Sequence, residues 1–235
     1  MSNQDLKEAF NQLTTPLISD ACMRVGVELR LAPAGIRPLA PGMRVAGRVL
    51  PAEHAGSVDI FLEAMLSAAA GDVLVIGNKG RLDEGCIGDL TTLEAMTAGL
   101  AGMVVWGLHR DTDEILETGF PVFTYGSNPA GPQRLDPREP EALSRARFGD
   151  FEVRKDDAVF ADADGVVFAP LNRVEEILRA AFSIRETERR QAESLKAGVS
   201  LRSQFSFDQF LEERAKDPAL TFREYLRRRG GAIEV

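Results

Sequence analysis

Two short polar turns hold the side chains of this sequence best suited to chemistry. The first is GCIGDL, residues 85–90, and the second is LHRD, residues 108–111. Twenty residues separate Asp89 from the pair Arg110–Asp111. A hard cation such as Mg²⁺ is held by one or two carboxylates, with water and substrate oxygens completing its shell. An arginine beside such an ion can neutralise a developing oxyanion. Gly85 and Gly88 leave backbone amides free to turn toward a ligand, and free amides where a helix starts bind carboxylate or phosphate oxygens. Asp89 serving only as a helix N-cap accounts for the same residues. Spacing alone therefore leaves two readings open: charges that decorate strand ends, or one half each of a cation site.

Other constellations carry less. The histidines are His54 and His109, and with Cys22 and Cys86 they show no metal-ligand spacing, which excludes a zinc cage. His109 reads as a partly exposed strand-end residue. Cys86 reads as a small buried or loop residue without a nucleophile's surroundings. The loop GNKGRLDEGCIGD, residues 77–89, has neither the Walker sequence nor the dinucleotide fingerprint. Its one lysine is Lys79.

The elements that must position the two turns are legible from pattern. Each turn region follows a short apolar strand, VLVIG (73–77) and MVVWG (103–107), and LTTLEAMTAGLAG (90–102) reads as the helix between. A βαβ return brings the turns leaving parallel strands together at their C-terminal ends, where ligands bind in such sheets. DLKEAFNQL, TTPLISDACMRVG with Thr15 as N-cap, SVDIFLEAMLSAAAG and TDEILETG read as further helices. MRVAGRVLPA, PVFTYG, RFGDFEV, DAVFAD and GVVFAP read as strands. The alternation implies an α/β body over 1–170 with a buried, largely parallel sheet. From Leu171 the pattern is helical, giving a C-terminal helical extension over 171–235.

A hydrophobic fraction of 44% supports a sizeable core, and the formal charge of −8 argues against a nucleic-acid or anionic-membrane partner. The basic cluster Arg227–Arg229 reads as a helix end complementing the dipole or pairing with an acidic neighbouring subunit. Two cysteines make no disulfide framework, and the start MSNQDLKEAF has neither a basic nor an apolar signal region. A cytoplasmic protein is the expectation.

GCIGDL, the Asp–x20–Arg–Asp spacing and AGMVVWGLHRD together resemble the signature of the RraA-like family. LTTPLISDACMRVG and GDVLVIG extend the resemblance over residues 13 to 200. That family contains the class II 4-hydroxy-4-methyl-2-oxoglutarate aldolases and the regulator of ribonuclease activity A. The resemblance implies a swivelling β/β/α-type sandwich assembled as homotrimers or homohexamers with sites between subunits. It implies Mg²⁺, Mn²⁺ or another divalent metal bound through Asp111, with Asp89 holding a water of its shell. It further implies Arg110 at the oxygen of a pyruvate enolate, and the amides of Gly88, Asp89, Leu90 and Thr91 around the pyruvate carboxylate.

The family's base is a glutamate on the C-terminal helix of a neighbouring subunit, and IRETERR offers Glu186 and Glu188. Glu188 falls on the apolar line Val174, Ile177, Ala181, Ile184, Ala192 and Leu195, whereas Glu186 points away, so Glu188 is preferred. The implied activity is retro-aldol cleavage of 4-hydroxy-4-methyl-2-oxoglutarate or 4-carboxy-4-hydroxy-2-oxoadipate to pyruvate. Oxaloacetate decarboxylation is the expected side reaction. The alternatives are a non-catalytic ribonuclease regulator and an enolate-forming lyase of sugar-acid catabolism.

Overall fold

The computed structural model describes residues 1–229, and the terminal stretch GGAIEV of the expected helical extension lies outside the described residues. The described chain divides into two compact units, Met1–Pro16 with Leu29–Glu175, and Leu17–Glu28 with the chain from Glu176 onward. The elements of the first unit run α1 (Asn3–Phe10), the start of α2 (Thr15–Arg24), β1 (Arg30–Leu31), β2 (Arg37–Pro38), β3 (Val45–Glu53), α3 (Asp59–Met65), β4 (Val73–Gly77) and β5 (Gly85–Ile87). They continue with α4 (Asp89–Thr97), β6 (Gly102–Trp106), β7 (Leu108–His109), α5 (Thr112–Thr118), β8 (Val122–Thr124), β9 (Arg145–Phe148), β10 (Phe151–Arg154), β11 (Asp157–Asp162) and β12 (Gly165–Pro170).

The main sheet has the order β1-β12-β11-β3-β4-β6-β8-β2. Its strands alternate between two cores because successive side chains point to opposite faces. Leu50, Leu74, Ile76, Met103, Val105 and Val122 pack with Ile60 and Phe61 of α3, Ala95 of α4 and Ile115 of α5. Val49, Val73, Val75, Val104 and Phe123 face the other way, onto Ala146, Phe148 and Val153 of the small β9–β10 sheet. Helices, main sheet and small sheet thus form three layers, the expected α/β class and β/β/α sandwich. Each fully buried Val, Leu or Phe in these two cores contributes roughly 1.5–3 kcal/mol.

The sheet departs from the expected largely parallel one. β3–β4, β4–β6 and β6–β8 are parallel, but β3–β11, β11–β12, β12–β1 and β8–β2 are antiparallel. For β11–β12 the reason is the short Ala163–Asp164 link, since parallel neighbours need a long crossover. RFGDFEV is likewise two strands, β9 and β10, turned by Gly149 at φ +63. A two-residue hairpin loop calls for such left-handed backbone, which glycine adopts without steric cost.

The second unit holds the remainder of α2, most of α6 (Val174–Lys196), and α7 (Leu201–Gln204), α8 (Phe207–Lys216) and α9 (Phe222–Arg228). Phe210, Leu220, Tyr225 and Leu226 form its buried cluster, with Phe205, Phe207 and Phe222 packed around them. Arg228 pairs with Glu224 at 2.6 Å and Arg229 with Glu213 at 3.1 Å. Those two arginines of the basic cluster therefore find carboxylates within their own unit, and Arg227 and Arg228 stand in the last turn of α9, the expected helix end. Among the described residues no helix is long and apolar enough to cross a membrane.

Candidate active site

The two turns meet through a feature absent from the sequence reading. Beyond β4 and β6 the chain adds β5 and β7, which pair in parallel with Gly85 opposite Leu108 and Ile87 opposite His109. The backbone bond from Arg110 N–H to the Ile87 carbonyl, 2.9 Å, extends that pairing. Parallel strands in register end side by side, so Gly88–Asp89 and Arg110–Asp111 leave the ladder as neighbours. The twenty-residue interval is what one helix, one strand and their links require to bring the chain back to this edge.

Contacts between the turns are close. A Cβ on Gly88 would lie 2.2 Å from Asp111 Oδ2 and 3.3 Å from Arg110 Cγ, so only glycine leaves room for that carboxylate. Asp89 N–H faces Asp111 Oδ2 at 3.4 Å, and Arg110 Nε lies 3.4 Å from the same oxygen. Both contacts are long and weak. Asp111 itself sits at φ 59, a left-handed conformation uncommon outside glycine although tolerated by aspartate. Strained backbone of this kind persists where the surroundings hold it and gathers at functional sites.

The N-cap of α4 is Gly88 and not Asp89, and Asp89 is the first helical residue. A glycine cap contributes no side-chain acceptor, so the first-turn amides are met by local groups or by a ligand. Leu90 N–H donates to Asp89 Oδ1 at 2.7 Å. Thr92 folds back onto the Gly88 carbonyl through its amide, 3.0 Å, and its hydroxyl, 2.9 Å.

Gly88, Leu90, Thr91 and Arg110 line a cavity of about 740 Å³. That is within the size range of small-molecule sites. Asp89 and Asp111 are partly exposed beside it. The donor set suits one kind of ion. Among the described residues no three His, Cys, Asp or Glu side chains gather as a metal cage. Two partly exposed carboxylates, of which the Asp111 Oδ2 oxygen makes only weak contacts, fit a hard divalent cation that keeps much of its water.

Glu188 is placed differently from expectation. Val174, Ile177, Ala181 and Ile184 are buried, but Glu188 and Ala192 are exposed and Leu195 is 42% exposed. The apolar line of α6 loses its cover after Ile184, so burial gives no reason to single out Glu188 in this chain. Glu186 is also exposed, and a hydrogen bond from Arg185 at 2.9 Å holds its carboxyl below the usual range. Lys79 is half exposed near Glu139, at 3.8 Å. Cys86 is buried on β5, and burial pushes its thiol far up, which makes it a poor nucleophile.

His109 is buried, not partly exposed. Its ring nitrogens meet Thr124 Oγ1 at 2.8 Å and Thr112 Oγ1 at 3.0 Å, a satisfied position inside the β7 edge. The sequence reading also missed a polar cluster in the same cavity wall. His54, which lines the cavity, lies within hydrogen-bond distance of Asn78 and near Glu84, and Arg134 bonds to Asn78 and Glu84 while its Nη2 passes 3.5 Å from His54 Nδ1. These positions lie far apart in the chain. Their only signal is the histidine His54 set in the largely apolar VLPAEHAG.

Comparison with known proteins finds relatives over most of the chain. The family model described as RraA-like, Aldolase/RraA, matches residues 15–168. A Halalkalibacterium halodurans protein named "Putative 4-hydroxy-4-methyl-2-oxoglutarate aldolase" is 30% identical over 178 residues, covering 75% of this chain and 82% of its own. Protein DlpA of Legionella pneumophila is 31% identical over 192 residues, 78% of this chain, but the match spans only 30% of DlpA. The crystal structure of Streptomyces coelicolor RraAS2, described as an unusual member of the RNase ES inhibitor RraA protein family, superposes with a TM-score of 0.70. It is 26% identical, over 80% of this chain and 96% of its own.

Proposed function

The chain belongs to the RraA-like family, Aldolase/RraA, and from that membership we propose a divalent-metal-dependent lyase that cleaves a 4-hydroxy-2-oxo acid to pyruvate. One observation carries the reading. A parallel two-strand ladder sets the Gly88–Asp89 turn against Arg110–Asp111 beside a cavity that Gly88 and Arg110 both line. The expected substrates are 4-hydroxy-4-methyl-2-oxoglutarate and 4-carboxy-4-hydroxy-2-oxoadipate, consistent with the name of the Halalkalibacterium relative.

Asp111, with Asp89 beside it, would hold Mg²⁺ or Mn²⁺. When bound, the ion supplies Lewis-acid polarisation of the substrate's 2-oxo group. The chain's own residues supply the rest. First-turn amides of α4, from Gly88 to Thr91, bind the carboxylate at C1, where aligned N–H groups favour an anion. The Arg110 guanidinium balances charge gathering on the 2-oxo oxygen as the C3–C4 bond breaks. Oxaloacetate decarboxylation leaves the same charge on the same oxygen, so it is the expected side activity.

A homo-oligomer, trimer or hexamer, is part of the proposal. Val58, Leu62 and Leu66 on one side and Leu90 and Leu93 on the other are exposed apolar residues, and four of them rim the cavity. Exposed apolar patches at a site mark surfaces that other chains cover. Glu188 of a neighbouring subunit remains the family's contribution to be tested. The buried Cys22 and Cys86, which form no disulfide among the described residues, support a cytoplasmic setting.

The test is pyruvate release from the candidate 2-oxo acids in the presence of Mg²⁺ or Mn²⁺. Metal-dependent turnover that Asp111→Ala abolishes supports the reading. No turnover of any candidate, combined with tight binding to a ribonuclease, would replace it with the regulator reading that the Streptomyces neighbour's description favours.

A further inference from the structure

We propose that His54 accepts the proton of the substrate's C4 hydroxyl during carbon–carbon cleavage, an assignment that rests on the lyase reading. The tautomer follows from the hydrogen bonds. Arginine only donates, so the Asn78 atom 2.9 Å from Arg134 Nη2 is the amide oxygen. The same oxygen lies 2.9 Å from His54 Nδ1, which must therefore carry the proton and donate. Turning the Asn78 amide over would set donor against donor at Arg134. The orientation is kept even though it leaves Asn78 Nδ2 buried without a partner.

With Nδ1 protonated, Nε2 holds the lone pair on the opposite edge of the ring. No hydrogen bond to Nε2 occurs among the described residues. The ring is only 2% exposed, is stacked on Phe61 at 5.1 Å, and lines the same cavity as Arg110 and Gly88. Its one unengaged polar atom is therefore an acceptor in the cavity wall. Burial first, with the nearby Arg134 adding to it, pulls the imidazole below the usual histidine range against the opposing pull of Asn78, Glu84 and Asp136. Glu84 Oε1, 3.6 Å from Nδ1, is placed to support the imidazolium that forms during the reaction.

The cavity is spanned by one loop. Gly131 approaches Arg110, since a Cβ there would lie 2.9 Å from Nη1, and three residues later Arg134 meets His54 and Glu84. Enolate stabilisation and proton acceptance thus stand on two stretches of one wall, as a substrate reacting at C2 and at C4 requires. In the step, the C4 hydroxyl proton passes to Nε2 and the O–H electron pair forms the C4 carbonyl. The C3–C4 bond breaks and its pair becomes the pyruvate enolate. The enolate takes a proton at C3 and His54 gives one up, so protons and electrons balance.

The experiment compares two reactions of one Mg²⁺-loaded enzyme. Retro-aldol cleavage of 4-hydroxy-4-methyl-2-oxoglutarate needs the C4 proton removed; oxaloacetate decarboxylation has no such proton. His54→Gln is expected to lower kcat for cleavage by about 10²–10⁴-fold. Decarboxylation should stay within about threefold, with the thermal midpoint confirming the fold. The acidic limb of the cleavage pH–rate profile, set by protonation of Nε2, should vanish with it. Should His54→Gln not fold, His54→Asn is read the same way. A parallel fall in both reactions, or no fall in either, overturns the assignment. Wild-type enzyme inert toward both substrates would instead sink the lyase reading and the His54 role with it. Glu188→Gln impairing cleavage alone, while His54→Gln does not, would move the base to α6.

Discussion

Gly88→Ala isolates the packing of the two turns. The Gly88 backbone lies at φ −149, extended and open to any residue, so alanine brings no strain of its own. What it brings is a methyl group 2.2 Å from Asp111 Oδ2, where real contacts stay above 3.0 Å. The carboxylate must retreat by about 1 Å, and a misplacement of that size at a reacting centre costs about 10²-fold in rate. That factor corresponds to about 2.7 kcal/mol of lost transition-state stabilisation. Stability should change far less, because the Asp111 side chain is 33% exposed and can swing toward solvent. A change within about 1 kcal/mol moves the midpoint by about 2–4 °C in a chain of this size. The assay pairs Mg²⁺-dependent pyruvate formation with thermal unfolding. Activity within a few-fold of wild type at an unchanged midpoint would refute the claim that Gly88 sets the position of Asp111.

Three further outcomes follow from the same contacts. Asp111→Gly removes a carboxylate from a residue at φ 59, where glycine is at ease, so activity should fall at least about 10²-fold while the midpoint stays level or rises, read by the same paired assay. Arg134→Met removes the 2.8 Å partner of Glu84, 3% exposed, and leaves it only the longer 3.6 Å contact from Arg81 Nε, which should cost about 1–3 kcal/mol in urea unfolding. Glu53 is buried, and burial raises its carboxyl above the usual range despite the 2.8 Å bond from Arg147 N–H. A raised carboxyl makes the folded state hold the proton longer, so the penalty is absent below the unfolded pKa of about 4.3 and grows as pH rises through the folded one. Glu53→Gln should therefore be more stable, relative to wild type, at pH 7 than at pH 4; the reverse order in urea unfolding would contradict this.

How much could be seen in advance depended on how local the determinant was. The Asp89 to Arg110 interval was legible because one βαβ return accounts for it, and the β4 and β6 strands were continuous apolar runs. The β5–β7 ladder was not, since three residues of a glycine-rich loop and a two-residue strand carry no periodicity. The His54 cluster draws on positions 54, 78, 84 and 134, joined only by the fold. The burial of Glu188 was misjudged for a different reason. The apolar spacing of α6 is genuine, but spacing does not say where along a helix the cover ends, and here Ile184 is its last buried member. The hairpin at Gly149 was hidden because two short strands with matching alternation read as one.

The central claim is that both turns form one site for a cation and a 2-oxo acid. Titration of Mn²⁺ into the protein, followed by electron paramagnetic resonance with and without oxalate as a stand-in for the pyruvate enolate, tests it without relying on turnover. If the site is shared, oxalate tightens Mn²⁺ binding in the wild type, Mn²⁺ tightens oxalate by the same factor, and Asp111→Ala abolishes both. Mn²⁺ binding that ignores oxalate, or that survives Asp111→Ala unchanged, would contradict the account.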